Sequence, residues 1–249
     1  MRGVVLRRQQ LKEYDELIGI YTEERGKVEV IARGVKKSLS KNAAHLEPFS
    51  VIEFGAVPGK ELDILTSVQG VEYFLPIRQS ALKSFFALFV VTLFDKLVLP
   101  LGSEEKMFSL LVLWLEALNQ SPRPEIFFID AFVLALLSEL GFQPELSQCV
   151  FCGKEIASTD TLYLSIEKGG AVGEECSKQD PRVYKFSESL KPFLEAWIKG
   201  EWSILGKEDI AVLGQAVQLH KFCYNYALFH LETSLVDWEI VLKKLGIRS

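Results

Sequence analysis

The hydrophobic pattern of this chain changes period once, near Pro76, and that change separates a strand-forming part from a helix-forming part. Before it, apolar and polar residues alternate over short runs near 4–7, 16–22, 27–33, 49–56 and 62–71, the two-residue period of strands with one buried face. Glu24-Arg25-Gly26 and Val57-Pro58-Gly59-Lys60 read as hairpin turns, with glycine available for a positive φ. After the third run comes a segment from Gly34 to His45 that is basic, rich in Ser and Asn and poor in apolar anchors; it is expected to move when nothing is bound. Five short antiparallel strands with a long connection after the third satisfy an OB-type five-stranded barrel, a frequent scaffold for single strands of nucleic acid. Fold alone assigns no function.

Beyond Pro76 the period lengthens to that of helices, over 80–98, 104–119, 125–140, 187–199 and 207–231, with a last short helix near 236–245. Gly141 is the stop signal of the third. Apolar side chains cover most faces of these helices, which therefore pack together as a buried bundle. The class is α+β: a barrel domain over residues 1–78, then a helical domain over 79–249 carrying a small cysteine ribbon inserted at about 144–182. A chain of 249 residues, 49% apolar, fills two such cores.

Charge narrows the function. The net charge is -5, so the molecule is not coated in positive charge and any surface for a polyanion is local. The first 41 residues hold ten Lys or Arg against six acids, a local +4 that leaves -9 for the remainder. No secretory signal follows Met1, and the apolar run from Phe85 to Phe94 falls short of the roughly 20 residues of a membrane span. A cytoplasmic, nucleoid-associated protein with no membrane partner is expected. Four cysteines, two of them as Cys149-x-x-Cys152, fit metal or structural thiols in a reducing compartment better than a disulfide framework.

Two ordered blocks of residues resemble the RecO family of bacterial DNA repair proteins. The first runs Gly3-Val-Val-Leu-Arg-Arg, Tyr14-Asp-Glu-Leu, Tyr21-Thr-Glu-Glu-Arg-Gly-Lys-Val, Ala32-Arg-Gly-Val-Lys-Lys and Leu46-Glu-Pro-Phe. The second is Leu137-Ser-Glu-Leu-Gly-Phe-Gln-Pro-Glu-Leu followed by Cys149-Val-Phe-Cys-Gly. The resemblance implies an OB-type domain joined to a helical one with an inserted ribbon. It also implies a non-enzymatic recombination mediator that binds single- and double-stranded DNA and anneals complementary strands. Together with RecR, such a mediator loads the recombinase on DNA coated by single-stranded DNA-binding protein, whose acidic C-terminal tail is a further implied partner. The alternative is an adaptor that keeps the protein contacts and has little DNA affinity of its own.

Cations that neutralise phosphates release counterions, so the candidate DNA contacts are Arg7, Arg8, Lys12, Arg25, Lys27, Arg33, Lys36, Lys37 and Lys41. Some of them are expected only to keep the barrel in solution. Tyr14, Tyr21 and Phe49 lie among the strands and are expected in the core rather than as stacking platforms.

The candidate metal ligands are Cys149, Cys152 and Cys176. A structural zinc site has four ligands, often in two Cys-x-x-Cys pairs, and the position three residues before Cys176 is Gly173. Two readings stay open. An oxygen from Asp180, Glu174 or Glu175 completes a weaker zinc site, or the ribbon has lost its metal and is held by Val150, Phe151, Leu162 and Tyr163; the second is the expectation. Cys223 reads as a buried apolar thiol. His220 and His230 read as ordinary helix residues, His45 as a loop residue near the basic segment, and no catalytic motif surrounds any of them.

Overall fold

The structure is a computed structural model of the chain and describes residues 1–37, 40, 42–99, 105–156, 161–180, 182–205 and 214–231. The chain divides into two compact units, Met1–Pro122 and Arg123–Ser249.

Five strands open the first unit: β1 (Arg2–Gln10), β2 (Glu16–Thr22), β3 (Gly26–Ala32), β4 (Val51–Val57) and β5 (Asp63–Glu72). They close into a barrel of order β1-β2-β3-β5-β4, with β4 returning to β1. The expectation of wholly antiparallel pairing is corrected at one seam. There β3 runs parallel to β5 through Val30↔Asp63 and Ile31↔Ile64, the pairing needed to close an odd number of strands in this order. A bulge between Val5 and Arg7 shifts the register of β1 against β2, so the consecutive Val4, Val5 and Leu6 are all buried. Gly26 takes φ +66 in the first hairpin. Gly59 is not among the positive-φ residues; it serves close approach instead, because a Cβ there would collide with the Leu62 carbonyl.

The segment after β3 is better anchored than its composition suggests. Val35 is 2% exposed and Leu46 fully buried, and both belong to the barrel core with Val5, Ile18, Ile20, Ile52 and Phe54. Leu46 ends a 3-10 turn, Ala43–Leu46, which also holds His45 beside Tyr73. Isolated apolar residues in a polar stretch carry little periodic signal, yet two of them suffice as plugs.

The barrel hands over to the helices at α1 (Leu75–Arg78). Phe49 and Phe74 adopt left-handed φ values of 57 and 52, a conformation side chains with a Cβ rarely take. Arg78 clamps both corners. Its Nε donates to the Tyr73 carbonyl at 2.7 Å, its second amino group to the Pro48 carbonyl and Ser50 Oγ, and its guanidinium lies 4.2 Å from the Phe49 ring centroid. Burial lowers its pKa from the ordinary arginine value.

Helix α2 (Ala81–Leu97) starts on a Ser80 cap and packs on the barrel, where Phe94 meets Tyr21 edge to face at 5.0 Å. Helix α3 (Glu105–Gln120) joins it, and the Lys83 ammonium donates to the Asn119 carbonyl at 2.9 Å.

The second unit is built around α4 (Phe127–Glu139), whose residues from Phe127 to Leu137 are all buried. Gly141 stops the helix at φ +89, with the Phe142 amide donating back to Leu137. A sheet of order β7-β6-β8 follows, from β6 (Thr161–Ser165), β7 (Gly170–Val172) and β8 (Tyr184–Ser187), with α5 (Glu174–Ser177) between the last two. Helices α6 (Lys191–Ile198) and α7 (Ala216–Leu231) pack on α4. The expected helical stretches at 207–213 and 236–245 lie outside the described residues.

His220 is not an ordinary helix residue. It sits on α7 with no exposure, its Nδ1 2.6 Å from Oδ1 of the equally buried Asp130 on α4. Burial pushes the Asp130 carboxyl above the ordinary carboxylate range, against the pull of the His220 charge and hydrogen bond. Cys223, also fully buried, lies one turn beyond His220. Sealed from solvent, these groups tie two helices together and give a substrate no entry. His220→Ala leaves Asp130 buried without its partner and is expected to cost about 3 kcal/mol of stability, read from the urea midpoint.

Candidate nucleic-acid interface and cysteine cluster

The nine candidate cations fall into two groups once their neighbours are known. Arg7, on β1, pairs with Glu29 and, through Nε at 3.0 Å, with Asp95 near the end of α2. Lys27, on β3, reaches the same Asp95 carboxylate at 2.9 Å, so the two cations fix α2 to the barrel. Arg8 donates to Glu16 at 2.6 and 2.9 Å, to the Ala43 carbonyl and to Glu47. Glu16 is only 8% exposed, which makes this pair structural. Arg25 meets Asp63 at 3.4 Å, though its side chain is 57% exposed and the pair is weak.

The other group is free. Lys12, Arg33, Lys36 and Lys37 are exposed and make no ion pair with a carboxylate among the described residues. Lys41 lies outside the described residues. The fold brings the four together, because the β1–β2 turn carrying Lys12 docks against the turn that follows β3. Gly34, at φ +64, aims its amide at Asp15 Oδ1 at 2.8 Å, and the Lys36 amide donates to the Tyr14 carbonyl at 3.2 Å. The Lys36 ammonium donates to Gln10 Oε1 at 3.1 Å. What distinguished the two groups was invisible in composition: their carboxylate partners are distant in sequence.

Of the three aromatics expected in the core, Tyr21 and Phe49 are buried, at 1% and 3% exposure. Tyr14 is a correction, with 45% of its surface in solvent. It falls in the turn rather than in a strand, so alternation did not bear on it. A hydrogen bond to Glu13 raises the pKa of its hydroxyl.

In the second unit the Sγ atoms of Cys149, Cys152 and Cys176 all lie within 4.8 Å of one another. Thiolates on one tetrahedral metal stand about 3.8 Å apart, so the three residues can hold a metal ion. The turn from Cys149 to Gly153, with Gly153 at φ +72, folds amides toward sulfur. Burial pushes the Cys149 thiol up, but hydrogen bonds from the amides of Gly173, Cys152 and Phe151 outweigh it and bring it to about 7. The Cys176 thiol is pushed up to about 11, first by its hydrogen bond to Cys152.

The oxygen ligands proposed from sequence do not join them. Among the described residues no carboxylate belongs to the cluster. Glu174 and Glu175 are exposed, and Asp180 turns to the Arg182 amide at 3.0 Å. At Gly173 an added Cβ would stand 3.8 Å from Cys149 Sγ in ordinary contact, so a side chain there would point into the cluster. Phe151, expected to hold the ribbon, is instead 39% exposed with the Lys168 ammonium 5.8 Å from its ring centroid. The ribbon is packed by Leu162, Leu164, Ala171, Val172 and Phe186.

A closed OB-type barrel with unpaired cations gathered at one end, followed by a helical unit carrying a cysteine ribbon, defines the structural class. Comparison with known proteins narrows it. The family described as Recombination protein O N terminal matches residues 1–74, and Recombination protein O C terminal matches 78–236. Proteins named DNA repair protein RecO are similar over most of their length. That of Bifidobacterium longum is 33% identical over 246 residues, 96% of each chain. That of Desulforamulus reducens is 27% identical over 242 residues, 96% of this chain and 92% of its own. That of Cutibacterium acnes is 32% identical over 209 residues, 81% of this chain and 82% of its own. The chain belongs to the RecO family of DNA repair and recombination proteins. Among the described residues no helix is long and apolar enough to cross a membrane.

The two groups of cations should respond differently to truncation. Arg8→Ala strands a buried carboxylate and is expected to lower stability by about 2 kcal/mol, whereas Lys37→Ala should leave it within about 0.5 kcal/mol. Paired urea titrations of the two variants measure the difference.

Proposed function

We propose that this protein is a cytoplasmic, non-catalytic recombination mediator that holds DNA at the end of its barrel. The site consists of Lys12, Arg33, Lys36 and Lys37, with Lys41 in the same segment. The observation that carries the reading is a local cluster of charge: Lys12, Arg33, Lys36 and Lys37, exposed and without a carboxylate partner among the described residues, lie on two docked turns of a molecule whose net charge is -5. Phosphates arriving there meet charge that no carboxylate among the described residues must first release. Both single and double strands present such phosphates. In this reading the protein anneals complementary strands and, with RecR, helps load the recombinase on DNA covered by single-stranded DNA-binding protein, the tail of which is a further partner.

The cysteine ribbon in this reading is a packed element with a weak zinc site. Three cysteine sulfurs stand together and the fourth position is glycine, so zinc affinity falls well below that of a full set. Purified without chelator, the protein is expected to carry zinc well below one ion per chain by metal analysis, and Gly173→Cys is expected to bring it to stoichiometry.

Anisotropy of a labelled oligonucleotide, measured across a salt series, tests the DNA reading. The variant with Lys12, Arg33, Lys36 and Lys37 all changed to Ala should bind more weakly. Its salt slope on a single strand should fall by roughly 0.7 for each phosphate that is no longer neutralised. A wild-type protein that binds without salt dependence would point to the adaptor with little DNA affinity instead.

A further inference from the structure

Charge alone leaves one feature of the barrel end unused. The β1–β2 turn exposes two large apolar side chains, Leu11 and Tyr14, each at 45%. The turn is nevertheless well built: the Leu11 and Lys12 amides both donate to the Asp15 carbonyl, at 3.0 and 3.1 Å. It is also locked to the turn after β3 through the Tyr14 carbonyl and the Asp15 carboxylate. The backbone that bears the ring is therefore anchored beside these cations, and the Lys37 ammonium stands 5.9 Å from the ring centroid. An aromatic surface next to unpaired ammonium groups is the combination that takes a nucleobase and its phosphate together.

We infer that Tyr14 is a stacking platform for an unpaired nucleobase, with Lys36 and Lys37 meeting the adjoining phosphates, so that this end of the barrel prefers single strands to duplexes. The inference rests on the DNA-binding reading above and adds to it the part of the ligand that charge does not see. In a duplex both faces of each base are covered by its neighbours, and a ring on the protein surface finds nothing to stack against. The lysines still find phosphates on either form. Charge thus sets affinity for both, and Tyr14 contributes to one.

The test compares wild type, Tyr14→Ala and Tyr14→Trp on a labelled oligothymidine strand and on a duplex of equal length. Tyr14→Ala should lose about ten-fold in single-strand affinity while duplex affinity and the salt slope on duplex stay as in wild type. Tyr14→Trp, which keeps a stacking surface, should retain single-strand binding. An unchanged thermal midpoint in both variants shows that the turn still folds. Equal losses on both DNA forms, or no loss on the single strand, overturn the platform while leaving the charge reading standing. A wild-type protein that binds neither form overturns both.

Discussion

The barrel closes through a very short parallel seam, Val30 and Ile31 of β3 against Asp63 and Ile64 of β5. The candidate interface begins where β3 leaves the wall. Ala32 faces Glu16, the first residue of β2, so beyond it β3 loses its antiparallel partner and Arg33 to Lys37 turn away. Gly34 supplies the left-handed bend, and Val35 returns to plug the core. The cations on either side of Val35 are thereby displayed outward, because the one apolar residue between them is taken inward. The β1–β2 turn completes the surface by offering a carbonyl and a carboxylate to the same segment.

The remaining cations show what the barrel wall does with charge. Arg7 and Lys27 share Asp95, and Arg8 is held by Glu16 and Glu47, so these groups join helix to barrel and strand to turn. Removing a phosphate from water to meet such a cation would also require separating an existing pair, and one of the carboxylates, Glu16, is nearly buried. A basic residue is thus a candidate for a polyanion only after its own neighbours are counted.

Much of the architecture was legible in the sequence because alternation and helical period are local signals. The five strands, the long helices and the cysteine ribbon all appear close to their expected positions. The parallel seam was not legible, since strand direction depends on closure and not on composition. Nor were Tyr14 and Phe151, whose exposure is decided by turns. Alternation says nothing about a residue outside a strand. Asp130 and His220 stand 90 residues apart, and neither segment marks the other as its partner. Arg78 lies in a four-residue helix too short for a periodic pattern, yet it satisfies acceptors around two left-handed phenylalanines.

The gathering of unpaired cations on two docked turns also affects motion before any contact is made. If these cations take DNA as proposed, their local field would turn the molecule as a polyelectrolyte comes within a Debye length, roughly 10 Å at moderate salt. The productive orientation would then be sampled more often than chance gives. Ionic strength would act on the rate of arrival as well as on the strength of the final grip.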